Sequence, residues 1–98
     1  MSLSASVTQV TEGQSPVFTM RMPTDATGEV GEVGFYDLSL PGSDKGIGVA
    51  PIVDGVATLR TPTRPLLLGQ SMIQASYGGS AIYAANDSNM VTVTVIAP

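Results

Sequence analysis

The sequence predicts an all-β fold, a sandwich of about seven short antiparallel strands in two sheets with no disulfide. Three observations carry this. Apolar and polar residues alternate with a period of two along most of the chain, which is the strand period. Each alternating run is bounded by Gly, Pro, Asn or Asp, the residues that turns require. No segment sustains the 3.6-residue period of a helix, and cysteine is absent.

The elements follow in order. Residues 4–10 read as an edge strand closed by Glu12-Gly13. Residues 17–22 send Phe18, Met20 and Met22 to one face and Val17, Thr19 and Arg21 to the other. Pro23 stops that run, because proline has no amide hydrogen to give to a ladder. Residues 32–38 set Val33 and Phe35 against Tyr36 and Leu38. The run 46–50 is short, weakened by glycine and ended by Pro51. In 56–61, Ala57 and Leu59 oppose Val56, Thr58 and Arg60. In 71–77, Ile73, Ala75 and Tyr77 oppose Met72, Gln74 and Ser76. The last run, 89–96, turns Val91, Val93 and Val95 one way and Thr92 and Thr94 the other. Seven such strands in 98 residues are the pattern of an immunoglobulin-like sandwich, here without the cysteine pair and core tryptophan of antibody domains. A small closed barrel is the structural alternative.

Length and composition narrow the function. Ninety-eight residues make one domain with one core. Without cysteine there is no thiolate metal site and no Cys nucleophile. Without histidine the commonest general base and the commonest transition-metal ligand are gone as well. Charged residues are only 12% of the chain and the net charge is -4. Its four cations, Arg21, Lys45, Arg60 and Arg64, are scattered, so no basic patch for nucleic acid is expected. The polar surface must come from Thr, Ser, Gln and Asn, a composition common in secreted β-proteins. No apolar run is long enough to span a membrane, so no membrane insertion by this domain is expected. Met1-Ser2-Leu3 reads as an appended start on a chain excised from a longer protein, and Ala97-Pro98 as the beginning of a linker.

Four segments in order, GEVGFYD (31–37), DGVATLRT (54–61), LGQSMIQASYGGSAIYAANDSN (68–89) and VTVTVI (91–96), carry a resemblance. The chain resembles the bacterial Ig-like domains that occur as tandem repeats in large surface and secreted proteins. The matching positions are Gly31, Val33, Phe35, Tyr36 and Asp37, then Gly55 to Leu59, then Gly69, Ile73, Ala75, Tyr77, Gly79 and Tyr83. Two departures stand out. Ser80 replaces the acidic residue usual after the turn glycine, and 38–50 is longer than the usual hairpin. The resemblance implies a spacer, stalk or adhesive module rather than an enzyme, on the bacterial surface or secreted, with neighbouring domains of a longer chain as partners.

Weighed one by one, the residues assign no catalytic, cofactor-binding or metal-ligating set. Glu29 and Glu32 could form a carboxylate pair, but they read as a solvated loop without an acid-tuning pocket. Asp37, Asp44, Asp54 and Asp87 fall at turns or strand ends, where Asp usually caps its own backbone. Calcium needs six or more converging oxygens, and only Asp44 and Asp54 are weak candidates for it. Met20 and Met22 should fill the core beside Phe18. A sugar platform needs exposed rings, and Tyr36 is the best candidate. Tyr77 and Tyr83 are expected to be structural, with the Tyr77 hydroxyl reaching the backbone. A binding alternative, to a glycan or protein, would use 38–50, the Pro62-Thr63-Arg64-Pro65 turn or a sheet face, in a phage structural protein as one variant.

Overall fold

A computed structural model describes residues 1–23, 28–64, 66–80 and 84–98. They form nine strands: β1 (Ser2–Ala5), β2 (Gln9–Thr11), β3 (Phe18–Arg21), β4 (Glu32–Asp37), β5 (Gly46–Pro51), β6 (Val56–Leu59), β7 (Gly69–Tyr77), β8 (Asn86–Asp87) and β9 (Val91–Ile96). No helix occurs among the described residues. One sheet has the order β1-β3-β6, and the other β2-β9-β7-β4-β5 with β8 beside β7. The fold is the expected two-sheet sandwich, and its core lies between the sheets. Phe18, Met20, Ala57 and Leu59 come from the smaller sheet; Val33, Phe35, Ile73, Ala75, Val93 and Val95 come from the larger.

Inward positions recur at every second residue, as the period requires. The six-residue β4 has buried Val33, Phe35 and Asp37. Phe18 and Phe35 are fully buried, and each such side chain contributes about 1.5–3 kcal/mol of transfer free energy.

Three features differ from the sequence expectation. The single edge strand over 4–10 is two strands in two sheets: β1 pairs antiparallel with β3, and β2 pairs parallel with β9. The two-residue β8 beside β7 is also unexpected, so the count is nine rather than seven, with one parallel pair among antiparallel ones. The cause of the split is parity. Leu3 and Val10 are both buried, yet they are an odd number of positions apart, so one straight strand would send them to opposite faces. Crossing between sheets lets both reach the core. Asn89 secures β1: its Oδ1 accepts the Leu3 N–H at 2.9 Å and its Nδ2 donates to the Leu3 carbonyl at 3.1 Å.

Glycine in β5 serves packing rather than merely weakening the strand. A Cβ on Gly48 would lie 2.8 Å from Leu59 Cδ1, so the Leu59 side chain occupies space that only glycine leaves. The register of β4 against β5 shifts between Phe35 and Tyr36, a bulge that brings both Ile47 and Ala50 inward.

The chain enters at one pole and leaves at the other. Ser2 pairs with Arg21, the last residue of β3, whereas Ile96 pairs with Thr11, the last residue of β2. Since β1, β2 and β9 run the same way, the two chain ends lie at opposite poles of a body measuring 45 × 27 × 19 Å.

Candidate functional surfaces

The pole where β4 begins and β7 ends is closed by Tyr77. Its position in β7 follows Ile73 and Ala75 in strand phase, so the ring faces the core and is only 3% exposed. The hydroxyl donates to Glu29 Oε1 at 2.8 Å, with the Val30 carbonyl as a second acceptor at 3.2 Å. The hydroxyl thus reaches the backbone as the sequence predicts. Glu29 is a correction: it is buried at 8% exposure, not part of a solvated loop, and it faces a phenol rather than Glu32. That hydrogen bond to the Glu29 carboxylate, then burial, then the negative charge push the Tyr77 pKa above its ordinary value; a hydrogen bond with Ser80 pulls the other way. Tyr83, the other tyrosine of this segment, lies outside the described residues.

At the opposite pole the buried carboxylate is Asp37, 1% exposed. Its Oδ1 accepts the Ser39 N–H at 3.0 Å and the Ser39 hydroxyl at 2.5 Å, the self-capping turn expected of such an aspartate. Its Oδ2 has no hydrogen-bond partner among the described residues. Lys45 closes the same loop by donating from Nζ to the Leu40 carbonyl.

The two loops singled out for binding are brought together here. Arg64 Nη1 donates to the Asp44 carbonyl at 3.0 Å, and the Thr63 N–H donates to the Ile47 carbonyl at 2.7 Å. The second bond occupies an edge acceptor of β5 that would otherwise be open to pairing with another chain. A shallow cleft of about 260 Å³ lies between residues 13–15 and 61–64. Its walls offer threonine, serine and glutamine hydroxyls and amides with a single charge, Arg64. Pro65 lies outside the described residues.

Asp44 and Asp54 do not converge. They stand beyond opposite ends of β5, whose six residues span roughly 20 Å at ~3.3 Å each. Asp54, with φ 52°, and Gly55, with φ 78°, form the two-residue hairpin turn that demands positive φ at both positions. Val53 and Val56 exchange both backbone hydrogen bonds across it, at 2.8 and 3.0 Å. Among the described residues no group of three or more acidic side chains could hold a metal ion.

Tyr36 lies on the outer face of the larger sheet, 39% exposed. A Cβ on Gly34 would lie 2.6 Å from the Tyr36 hydroxyl oxygen and 2.9 Å from ring carbons, so the ring rests flat on the bare strand. Met72 and Met90 are exposed, whereas Met20 and Met22 are core, the latter pair as expected.

The two-sheet sandwich, antiparallel except where β2 runs beside β9, is the architecture of an immunoglobulin-like domain, a class that is generally non-catalytic. The sequence match is more specific. Residues 3–96 fit the model of the bacterial Ig-like domain (group 3), and the chain belongs to that family. No curated protein and no solved structure matches the chain.

Proposed function

We propose that this domain is a non-catalytic spacer of a bacterial extracellular or cell-surface protein of the adhesin type, holding neighbouring domains of its parent chain apart. The observation that carries the reading is the placement of the two chain ends at opposite poles of a body 45 Å long. A domain entered at one pole and left at the other adds length when strung in series; one with both ends at the same pole does not. Deleting or duplicating residues 3–96 in the parent protein should shorten or lengthen its reach by up to 45 Å, read by single-molecule imaging. Lost ligand binding at unchanged reach would overturn the reading.

A second reading is a module that binds a glycan or protein. It is favoured by the flat, exposed Tyr36 ring and by the joined loops around Arg64 and Asp44. A glycan array and a cell-binding screen with the isolated chain test it, and silence in both retires it.

A further inference from the structure

We propose that the outer face of the larger sheet holds a sugar site, where a neutral glycan stacks on the Tyr36 ring and gives hydroxyl hydrogens to Asp44 and Gln74. The inference rests on the second reading above and commits it to one ligand class and one place. It leaves the spacer role untouched.

Two glycines make the floor of the site. The ring lies over Gly34, where a Cβ would stand 2.6 Å from its hydroxyl oxygen. Gly46 lies opposite Tyr36 in the ladder and is bare in the same way. The point where its Cβ would stand is 3.9 Å from ring Cε1 and 3.8 Å from Asp44 Oδ1. One edge of the ring and the Asp44 carboxylate therefore border the same gap. With one side of the ring on the strand, the other is turned to solvent. The C–H face of a pyranose covers such a surface well: both are flat and apolar, and the sugar's hydroxyls stay at the rim, where a few placed polar groups can meet them.

Those polar groups are fixed in place and unspent. Asp44 is anchored through its backbone, since its carbonyl accepts from Arg64 Nη1, while its carboxylate accepts no hydrogen bond among the described residues. Gln74 lies opposite Tyr36 on β7. Its Nε2 donates to the Ser88 carbonyl at 2.8 Å, which pins the amide and leaves Oε1 to accept. Acceptors thus flank the ring on both sides, and the ligand must bring the donors. Gly46, Tyr36 and Gln74 form a row across three strands, roughly 10 Å from end to end at ~4.8 Å per strand. That is about the length of a disaccharide.

Charge selects among ligands that donate. The charged residues on or beside this face are the carboxylates Glu32, Asp44 and Asp87, so an acidic sugar is repelled. No cation occurs in the strands of the larger sheet, and Lys45, next to Asp44, turns its Nζ to the Leu40 carbonyl. A ligand ammonium is held well only by a cage of several rings, and this face has one.

The test is nuclear magnetic resonance of the labelled chain titrated with lactose, cellobiose and N,N′-diacetylchitobiose, and with glucuronate and methylamine as acidic and cationic probes. Expected are saturating shifts of the Gly34, Tyr36, Gly46 and Gln74 amides with at least one neutral disaccharide, at a Kd on the order of 1 mM that added salt leaves unchanged. Tyr36→Ala and Asp44→Ala should each weaken binding by about tenfold or more at an unchanged melting temperature. The exposed Asp44→Ala decides the matter should Tyr36→Ala not fold. Gly34→Ala keeps the ring but lifts it off the strand, and should weaken binding as well. No shift with any neutral disaccharide would overturn the proposal. So would shifts centred on the cleft between residues 13–15 and 61–64, tighter binding of glucuronate, or salt-sensitive binding of methylamine in the sugar's place. Failure of the reading beneath it looks different. With this site overturned, binding in the cell screen or at the cleft leaves that reading standing, whereas silence there and on the glycan array removes both.

Discussion

Each pole buries one carboxylate among the described residues, Glu29 in the loop before β4 and Asp37 at the end of β4, and they satisfy it in opposite ways. At the first, Glu29 is met by Tyr77, a partner 48 positions away. At the second, Asp37 is met by Ser39, two positions away, and Oδ2 is left without a partner among the described residues. The long-range bond clamps a loop to a core strand, so the first pole is tied to the global fold. The local bond shapes only its own turn.

The largest test strikes the core that both poles share. Leu59→Ala removes a buried side chain that fills the hollow above Gly48, and should cost ~2–5 kcal/mol by chemical denaturation. Hydrogen exchange should then rise at both poles together. A loss under ~1 kcal/mol would mean that the packing of Leu59 against β5 is not as described.

Next comes Asp37→Ala, which strips the acceptor from the Ser39 N–H and should cost about 1–3 kcal/mol. Faster exchange should be confined to residues 38–45. If the Tyr77 amide opens as well, the poles are not independent.

The first pole should announce itself through pH. Because the Tyr77 pKa is raised in the folded state, the phenol's contribution is fully present below the ordinary tyrosine value of about 10 and is lost as pH climbs through the folded value. The melting temperature should therefore fall more steeply above pH ~10 in the wild type than in Tyr77→Phe, which cannot ionise. Equal slopes would remove Glu29 from its assigned role.

The smallest effect falls on exposed apolar residues of the two poles. Val30→Glu and Leu68→Glu replace exposed side chains and should shift the stability of the lone domain by no more than about 0.5 kcal/mol. A larger loss would make these residues part of the packing that holds the poles together.

The asymmetry between the poles also marks what a sequence discloses. The Asp37–Ser39 turn is legible because Asp capping its own backbone two residues on is local chemistry. Val33, Phe35, Ile73, Ala75 and Tyr77 declare their inward faces by alternation alone, and the ordered motifs from Gly31 to Ile96 carry the family. The Asp54-Gly55 pair is readable as a turn, because both residue types tolerate positive φ.

What the sequence by itself determined was therefore the all-β sandwich, the inward faces of its central strands and its membership among bacterial Ig-like domains. These follow from a period of two and from turn residues, both of which act over a few positions. Only the tertiary structure decided that residues 2–11 switch sheets, that Gly48 makes room for Leu59, that Glu29 is buried against Tyr77, and that Arg64 reaches the Asp44 carbonyl. Each of these depends on which strands lie side by side. That is settled by the packing of two faces around one core, and no window of neighbouring residues contains it.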